Sequence, residues 1–165
     1  MTQPSTTDAI SEARRQWTKR WPEAASSMAT ATSVMRAQQI VLKAVDDSLR
    51  PLGLTFARFE ALTVLSFTKS GELPLGKLGK LLMIHPTSVT NIVDRLCSDR
   101  LIERLPHPYD RRTILAKITA EGKSLAKTAA DVVNAIDFGV GTLEEEDKES
   151  LIEIVSKLRL ASGDF

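Results

Sequence analysis

The 165-residue sequence predicts a mainly α-helical fold that carries one small β-hairpin. Apolar residues recur at the spacing of helix faces along most of the chain, whereas two short runs past the middle are typical of strands. Hydrophobic residues make up 42% of the chain and charged residues 26%, which are the proportions of a folded protein. The length suffices for one domain with additional helical arms.

Two helices are predicted before the centre of the chain. A polar helix from about Asp8 to Pro22 places Trp17 and Trp21 on one face, because these residues are one helical turn apart. A longer helix follows from about Ala24 to Arg50 and ends at the helix-breaking residues 51–53. Its predicted buried stripe consists of Val34, Val41, Val45 and Leu49.

Three further helices lead to the hairpin. One spans about Thr55 to Thr68 with Thr55 as its N-cap, and a short one spans Leu75 to Leu82. After a turn at residues 83–85, a third helix runs from Pro86 to about Arg100, because proline suits a first helical position. The predicted inward residues of the first two helices are Phe59, Leu62 and Leu65 or Phe67, followed by Leu75, Leu78, Leu81 and Leu82.

The predicted strands are Ile102–Leu105 and Thr113–Ile118. Short helix, tight turn, second helix and two-stranded hairpin, in that order, make a winged helix-turn-helix. Thr119 then caps a helix to about Phe138, and Thr142 with Glu145 forms a capping box for a last helix to about Leu160. The last helix carries an apolar stripe at Leu151, Val155 and Leu158.

Charge is distributed unevenly along the chain although its formal net charge is only +1. Residues 74–118 contain eight basic and four acidic side chains, whereas residues 142–165 contain three basic and seven acidic ones. Because the local field decides whether a polyanion binds, the central segment, at +4, is the candidate surface for nucleic acid.

The helix that begins at Pro86 has an apolar inner face and a polar outer face. The inner face carries Val89, Ile92, Val93 and Leu96. The predicted DNA-reading residues on and beside the outer face are Thr87, Ser88, Thr90, Asn91 and Arg95. Asparagine can bond to adenine and arginine to guanine in a major groove, although an ordinary solvated helix face is the alternative interpretation. Asp94 on this face would repel phosphate, so we expect it to have an arginine partner nearby.

The connection between the strands adds a second set of candidate residues. Pro106 and Pro108 stiffen it, which lowers the entropy lost when its tip enters a groove. An arginine at such a tip, Arg111 or Arg112, can enter a minor groove, and Asp110 can orient it. The alternative is a surface hairpin in which these charges pair only with each other.

Three segments, HPTSVTNIVDRL, LIERLPHPYDRR and ITAEGKSL, resemble the recognition helix, wing and following helix of the multiple antibiotic resistance regulator (MarR) family. The resemblance covers about residues 54–125, and the family's Asp-x-Arg wing signature falls on Asp110 and Arg112. It implies a homodimer with interlocked terminal helices, a palindromic double-stranded DNA operator, and repression relieved by a small ligand. The implied divisions are an extra N-terminal helix and a dimerisation helix (residues 1–53), a DNA-binding lobe (54–119) and C-terminal dimerisation helices (120–165).

The leading helix is similar to the extra N-terminal helix of the family's urate-responsive subgroup, but Phe59 stands where that subgroup commonly has tryptophan. The family's ligand cleft lies where the dimerisation helices meet the lobes. On that resemblance an aromatic, anionic or lipid-like effector is implied, with Trp21, Arg36, Phe59, Met83 and His85 as its lining. Structural roles are the alternative for these residues: the tryptophans can be buried in the dimer interface, Arg36 can be solvated and His85 can cap its helix.

Other functions find little support in the sequence. The chain has two histidines, and neither belongs to an arrangement with a Ser or Cys nucleophile. It also lacks metal-ligand spacing, a phosphate loop and a dinucleotide fingerprint, which argues against an enzyme, a cofactor or a metal site. A single cysteine, Cys97, excludes an internal disulfide and leaves a thiol-based redox sensor as one alternative. A winged-helix module that binds protein is the other. The N-terminus is unlike a signal peptide and no run is long enough for a membrane span, so we expect a cytoplasmic protein without a membrane partner.

Overall fold

The computed structural model describes residues 8–110 and 112–164, and within them the chain forms seven α-helices and three β-strands. The helices are α1 (Ala9–Arg20), α2 (Ala25–Leu49), α3 (Phe56–Phe67), α4 (Leu75–Leu81), α5 (Pro86–Ser98), α6 (Ala120–Ala135) and α7 (Glu145–Ala161). The strands are β1 (Glu72–Pro74), β2 (Ile102–Pro106) and β3 (Ile114–Ile118). Short 3₁₀ turns lie at Pro22–Ala24, Arg50–Leu52 and Asp137–Gly139. The predicted mainly helical fold with a small sheet is confirmed.

The chain divides after Lys43 into two compact units, and each is described by itself. In the first unit, α1 begins at Asp8, whose carboxylate accepts a hydrogen bond from the N–H of Ile10, so the helix has a side-chain N-cap. Trp17 and Trp21 lie on one face as predicted, with ring centroids 4.9 Å apart. Their tilted contact extends the apolar surface of α1 past its last turn.

The second unit holds the core. Val45 and Leu49 at the end of α2 are buried with residues of α3, α4, α5, the sheet and α6. Among the predicted inward residues, Phe59, Leu62, Leu65, Leu78 and Leu82 are buried, as are Val89, Val93 and Leu96 of α5. These side chains fix the short helices onto α3 and α6, so the surface of α5 opposite the core is left outward.

Two predicted core positions are wrong, and the structure decides between the two alternatives at a third. Val34 is 42% exposed because the core of the second unit involves only the end of α2. Leu81 is half exposed, since Leu78 of α4 and Leu82, the residue just after this helix, are the ones that face the core. Of the two alternatives at the end of α3, Leu65 is buried and Phe67 is exposed.

The sheet has three strands in the order β1-β3-β2, all antiparallel, where the sequence predicted two. Within the hairpin, Ile102 pairs with Ile118 and Pro106 with Ile114. The added strand pairs Leu73 with Ala116. A three-residue strand is too short to show alternating hydrophobicity, which is why the sequence did not reveal it.

Close packing at two glycines holds the helix-turn-helix and the sheet together. A Cβ on Gly79 of α4 would lie 2.7 Å from Cγ2 of Val89 in α5, so only glycine allows this approach. A Cβ on Gly122 would lie 2.1 Å from the carbonyl oxygen of Leu101. The predicted cap at Thr119 is confirmed, because its hydroxyl accepts a hydrogen bond from the N–H of Gly122 at 3.0 Å.

The other predicted caps differ from the structure. Thr55 occupies the N-cap position of α3 but makes no side-chain cap, and the carboxylate of Asp46 accepts the hydrogen bond from the N–H of Phe56 at 2.7 Å. The predicted capping box of Thr142 and Glu145 is wrong, because α7 begins at Glu145 with Glu144 as its N-cap. The first turn of α7 is acidic at Glu145, Glu146 and Asp147, which favours the helix dipole instead.

The chain turns sharply between α6 and α7. Asp137 and Phe138 have left-handed backbone conformations, with φ of 49° and 51°, and Gly139 continues with φ of 77°. Nζ of Lys148 in α7 lies 2.6 Å from the carboxylate of Asp137, which joins the turn to the last helix. None of the described helices combines the length and the hydropathy that a bilayer crossing requires.

Candidate nucleic-acid interface

Helix α5 is positioned by its first turn and its buried face. Pro86 is its first residue, and Nδ1 of His85 accepts a hydrogen bond from the N–H of Thr87 at 3.3 Å. His85 therefore caps this helix, which is the structural alternative to ligand binding that the sequence left open. With Val89 and Val93 against the core, the helix can expose only one strip of surface.

That strip contains every residue of α5 that the sequence proposed for reading DNA. The exposed side chains are those of Thr87, Ser88, Thr90, Asn91 and Arg95. The hydroxyl of Thr90 donates to the carbonyl of Pro86 at 3.2 Å, and Nε of Arg95 lies 3.6 Å from the carboxylate of Asp99. The strip is therefore short-chained, polar and outward, with one arginine near its C-terminal end.

Asp94 on the same helix has the arginine partner that its position predicted. Nη2 of Arg104 in β2 lies 2.8 Å from Oδ1 of Asp94 and also donates to the carbonyl of Thr90 at 3.5 Å. A surface pair of this kind contributes about 0.2–1 kcal/mol. Its larger consequence is geometric, since it joins the base of the hairpin to α5 and neutralises the one acid on the outer face.

A second ion-pair cluster fixes the far end of α5. The carboxylate of Asp99 lies 3.5 Å from Nη1 of Arg58 in α3 and 3.6 Å from Nε of Arg95. The Arg58 side chain is largely buried, so this contact is less screened by solvent than an open surface pair. Sequence reasoning missed Arg58, Asp99 and Arg104 as positioning residues, and only the unexplained Asp94 hinted at one of them.

The wing turn is organised by Asp110. Its Oδ1 accepts a hydrogen bond from the N–H of Arg112 at 3.0 Å, and its Oδ2 accepts one from the hydroxyl of Thr113 at 2.7 Å. The hydrogen bond from Thr113, followed by that from Arg112, lowers the pKa of the Asp110 carboxyl below its usual value. The contact that the structure shows between Asp110 and Arg112 goes to the backbone, so Asp110 shapes the turn rather than gripping the guanidinium.

Arg112 lies in the connection between β2 and β3. Arg112 is exposed, whereas Arg111 lies outside the described residues. Backbone hydrogen bonds close the turn between the N–H of His107 and the carbonyl of Thr113, at 3.1 Å, and between the N–H of Thr113 and the carbonyl of Asp110, at 3.0 Å. A short, bonded turn of this kind holds its side chains at a fixed height above the sheet.

The residues proposed for a ligand cleft belong to both units, and two of those in the second unit line different cavities. Trp21 and Arg36 belong to the first unit, where Arg36 is exposed and donates to the side chain of Gln39 at 3.1 Å. In the second unit, Phe59 lines a cavity of about 360 Å³, whereas Met83 lines a different cavity of about 470 Å³ between α4 and α5.

The cavity beside Phe59 lies between α3, the end of α4, α6 and the turn before α7; we call it the Glu60 chamber. Its aromatic walls are Phe56, Phe59, Phe67 and Phe138. Glu60, Thr63 and Asn134 add polar groups. Burial raises the pKa of the Glu60 carboxyl, and Oγ1 of Thr63 is buried without a hydrogen-bond partner in the described part of the chain. This chamber combines apolar walls with a few polar groups, as small-molecule sites do.

Cys97 is half-buried at the margin of α5. Burial raises the pKa of its thiol, while the charge of Arg104 lowers it and those of Asp94 and Glu103 raise it further. A raised pKa reduces the thiolate fraction on which thiol oxidation depends. Among residues 8–110 and 112–164 no three histidine, cysteine or carboxylate side chains form a group that could hold a metal ion.

Comparison with known proteins places this arrangement in a family. The MarR family model matches residues 54–114. Sco5413, a MarR family transcriptional regulator from Streptomyces coelicolor, is 48% identical, with 85% of this chain and 97% of that chain covered and a TM-score of 0.79. Sco3205, a MarR family regulator from the same organism in complex with DNA, is 26% identical over 78% of this chain and 82% of that one, with a TM-score of 0.72.

A curated relative agrees with the solved structures. The HTH-type transcriptional regulator YhbI of Bacillus subtilis is 31% identical over 122 residues, which are 74% of this chain and 75% of that protein. The matched segment contains the whole helix-turn-helix with β2 and the first residue of β3. The chain therefore belongs to the MarR family and is a winged helix-turn-helix transcription regulator, not an enzyme.

Proposed function

We propose that this protein is a homodimeric repressor that binds a palindromic operator in double-stranded DNA and releases it when a small organic ligand binds. The observation that carries the proposal is the joining of α5 to the wing. The outer strip of α5 is polar and exposed, and the Asp94–Arg104 pair fixes the hairpin beside it. A helix and a wing held at a fixed angle can bind two adjacent grooves of DNA, the helix in the major groove and the wing in the minor groove.

Each side chain has a defined part in this proposal. Asn91 and Arg95 read base edges in the major groove, and Thr87, Ser88 and Thr90 contact bases or the adjoining backbone. Arg112, with Arg111, enters the minor groove. Asp110 sets the height and direction of Arg112 through the hydrogen bond from the Arg112 N–H.

The terminal helices support a dimer. Helix α7 has no buried residue among those described, and its exposed apolar side chains are Leu151, Ile152, Ile154, Leu158 and Leu160, each between 44% and 61% exposed. Burying one such side chain contributes about 1.5–3 kcal/mol, so a second copy that covers this face would stabilise both chains. A two-fold axis between identical lobes matches a palindromic DNA site.

Two other functions fit the molecule less well. A winged helix that binds protein would not need both a strip of short polar side chains on α5 and a basic wing. A redox sensor based on Cys97 would need a lowered thiol pKa, and burial raises it. A regulator that reads chromosomal DNA works in the cytoplasm, and we include that location in the proposal.

The test is binding of the full-length protein to DNA that flanks its own gene, measured by fluorescence anisotropy at fixed salt. We expect a saturable complex with a palindromic site, and loss of about 1–3 kcal/mol of discrimination between that site and a scrambled one in Asn91→Ala. Asn91 is exposed, so the variant should keep the melting temperature of the parent.

Glu103→Gln is the matched control, because Glu103 is exposed on β2 and lies outside the proposed reading strip. It should keep the preference for the palindromic site. Equal affinity of the parent for the site and its scrambled version would contradict an operator-binding function. Unchanged preference in Asn91→Ala would remove only Asn91 from the base contacts.

A further inference from the structure

We infer that the Glu60 chamber is the effector site and that it selects an aromatic molecule with a cationic, hydrogen-bond-donating head group over an anionic one. This inference rests on the proposed release of DNA by a small ligand and gives that ligand a chemical class. It reverses the sign of charge that Arg36 or His85 would favour, since neither residue lines the chamber.

The size and walls of the chamber suit one aromatic ring system. Its volume of about 360 Å³ lies at the small end of the range for ligand pockets. The rings of Phe56 and Phe59 are tilted with centroids 6.4 Å apart, and Phe67 and Phe138 stand at the more exposed side. Aromatic faces on several sides offer stacked or edge contacts to a flat ligand.

The polar groups decide the charge of the ligand. Glu60 is the one ionisable side chain among the described residues of the lining, and Thr63 and Asn134 supply neutral polar groups. An anion in this chamber would meet a carboxylate and no counter-charge, whereas a cation would pair with Glu60 and lie near aromatic faces. Thr63 lies one turn along α3 from Glu60, so its unpartnered hydroxyl is in reach of the same head group after a rotamer change.

The walls of the chamber also reach both elements that a ligand must influence. Leu81 is the last residue of α4 in the helix-turn-helix and Leu82 follows it, and Phe138 belongs to the turn that precedes α7. Phe138 is held in a left-handed conformation next to Asp137, which is bound to Lys148 of α7. A ligand that displaces Phe138 therefore acts on the joint between the lobe and the proposed dimerisation helix.

The test uses three probes of one shape and different charge: 1-naphthylmethylamine, 1-naphthalenemethanol and 1-naphthoate. Each is titrated into the full-length protein by calorimetry at neutral pH, without DNA. We expect the amine to bind about ten-fold or more tightly than the carboxylate, with the alcohol between them, because the like-charge contact with Glu60 is absent for the amine.

Glu60→Gln should abolish this order by weakening the amine and strengthening the carboxylate, while Glu103→Gln keeps it. Ala130→Phe narrows the chamber from α6 and should weaken all three probes. If Ala130→Phe fails to fold, as judged by circular dichroism, the Glu60→Gln comparison still decides the inference. Equal or tighter binding of the naphthoate, an unchanged order in Glu60→Gln, or no binding of any probe would overturn it.

Operator release is measured separately, by adding each probe to the preformed complex. Release by the amine in the parent but not in Glu60→Gln supports the inference and the proposed function together. Selective binding of the amine without release supports the chamber as its site and contradicts ligand-triggered release there. Failure to find an operator would count against the proposed function alone, because the titrations need no DNA.

Discussion

Helices α5 and α7 both present a long exposed face, but the two faces have opposite chemistry. The outer strip of α5 is polar, and its inner face is buried against the same chain. Helix α7 exposes Leu151 and Leu158, and no described residue of it is buried. The difference indicates that α5 is complete within one chain, whereas α7 needs a further surface to cover it.

The positions of charge fit the same division. Helix α5 is held by Arg104 from β2 and by Arg58 from α3 through Asp94 and Asp99. Helix α7 is joined to the preceding turn by the pair of Lys148 with Asp137. Two neighbouring elements thus hold the C-terminal half of α5, whereas α7 is held at its start by the turn before it.

The largest effect should come from removing α7. Deleting residues from Thr142 onward takes away its apolar face, so we expect monomers or insoluble protein and loss of operator binding. Light scattering measures the mass, and Lys157→Gln, which changes only an exposed ion pair with Glu153, should leave it at that of a dimer. A stable dimer after the deletion would show that α7 is not the main dimerisation element.

The next effect tests whether α5 is complete by itself. Gly79→Ala inserts a Cβ 2.7 Å from Cγ2 of Val89, and such overpacking costs typically about 1–3 kcal/mol, so the midpoint of denaturant unfolding should fall. Gly76→Ala, in the same helix, meets no atom within 4 Å and should raise stability by about 0.5–1 kcal/mol.

If Gly79→Ala lowers the stability and Gly76→Ala raises it, the packing of α4 on α5 within one chain determines the stability of the helix-turn-helix. If stability falls by the same amount in both variants, the loss would instead come from replacing glycine anywhere in α4 and not from its contact with α5. Dimer mass should be unchanged in each, which separates this test from the deletion of α7.

Local sequence signals predicted much of the fold. Pro86 and Thr119 marked helix starts correctly because proline at N1 and threonine at an N-cap act within a few residues. The inner face of α5 followed from its spacing. The same kind of reasoning wrongly made Thr142 the N-cap of the last helix. A capping box requires the helix to begin just after the capping residue, and in the structure Glu144 occupies the N-cap position.

The candidate site was less visible than the fold. The exposed strip of α5 followed from periodicity, but Arg58 and Arg104 became positioning residues only when α3 and β2 packed against α5. The chamber joins Glu60 in α3 to residues more than seventy positions later in the chain, such as Asn134 and Phe138. No local pattern encodes contacts between such distant segments, so sequence reasoning proposed Phe59 as a ligand contact but missed Glu60, Thr63 and Asn134 beside it.

The wing offers a smaller and more specific effect. Asp110→Ala removes the acceptor for the N–H of Arg112 and should weaken operator binding by about 0.5–1.5 kcal/mol, the net value of a typical hydrogen bond. Asp110→Asn keeps an oxygen acceptor and loses the charge, so it should bind at least as tightly as the parent. Fluorescence anisotropy at fixed salt gives both affinities.

A purely electrostatic wing makes a different prediction for the same pair. Losing the negative charge would then tighten binding equally in Asp110→Ala and Asp110→Asn. A double-mutant cycle with Arg112→Ala adds a further criterion, because a turn that serves Arg112 predicts little extra loss when both residues are replaced. Strictly additive losses would contradict the role of Asp110 in placing Arg112.

The smallest expected effect compares the Glu60 chamber with the solvent-facing surface. Burial raises the pKa of Glu60 above 4.5, so the folded state binds a proton more readily than the unfolded state. The carboxyl therefore costs no stability at pH values below 4.5, and its cost grows as pH rises through the folded-state pKa. Glu60→Gln removes that cost, so its melting temperature relative to the parent should rise between pH 4.5 and neutrality.

Glu103→Gln provides the reference, because it makes the same change at an exposed position of β2, and its melting temperature is compared with that of the parent at the same two pH values. Circular dichroism melts at the two pH values measure both differences, and subtracting the parent cancels the titration of all other groups. An equal difference at both values for Glu60→Gln would mean that the chamber does not desolvate the carboxyl. In that case the preference for a cationic head group would have to come from pairing in a hydrated site, and it would be weaker and more sensitive to salt.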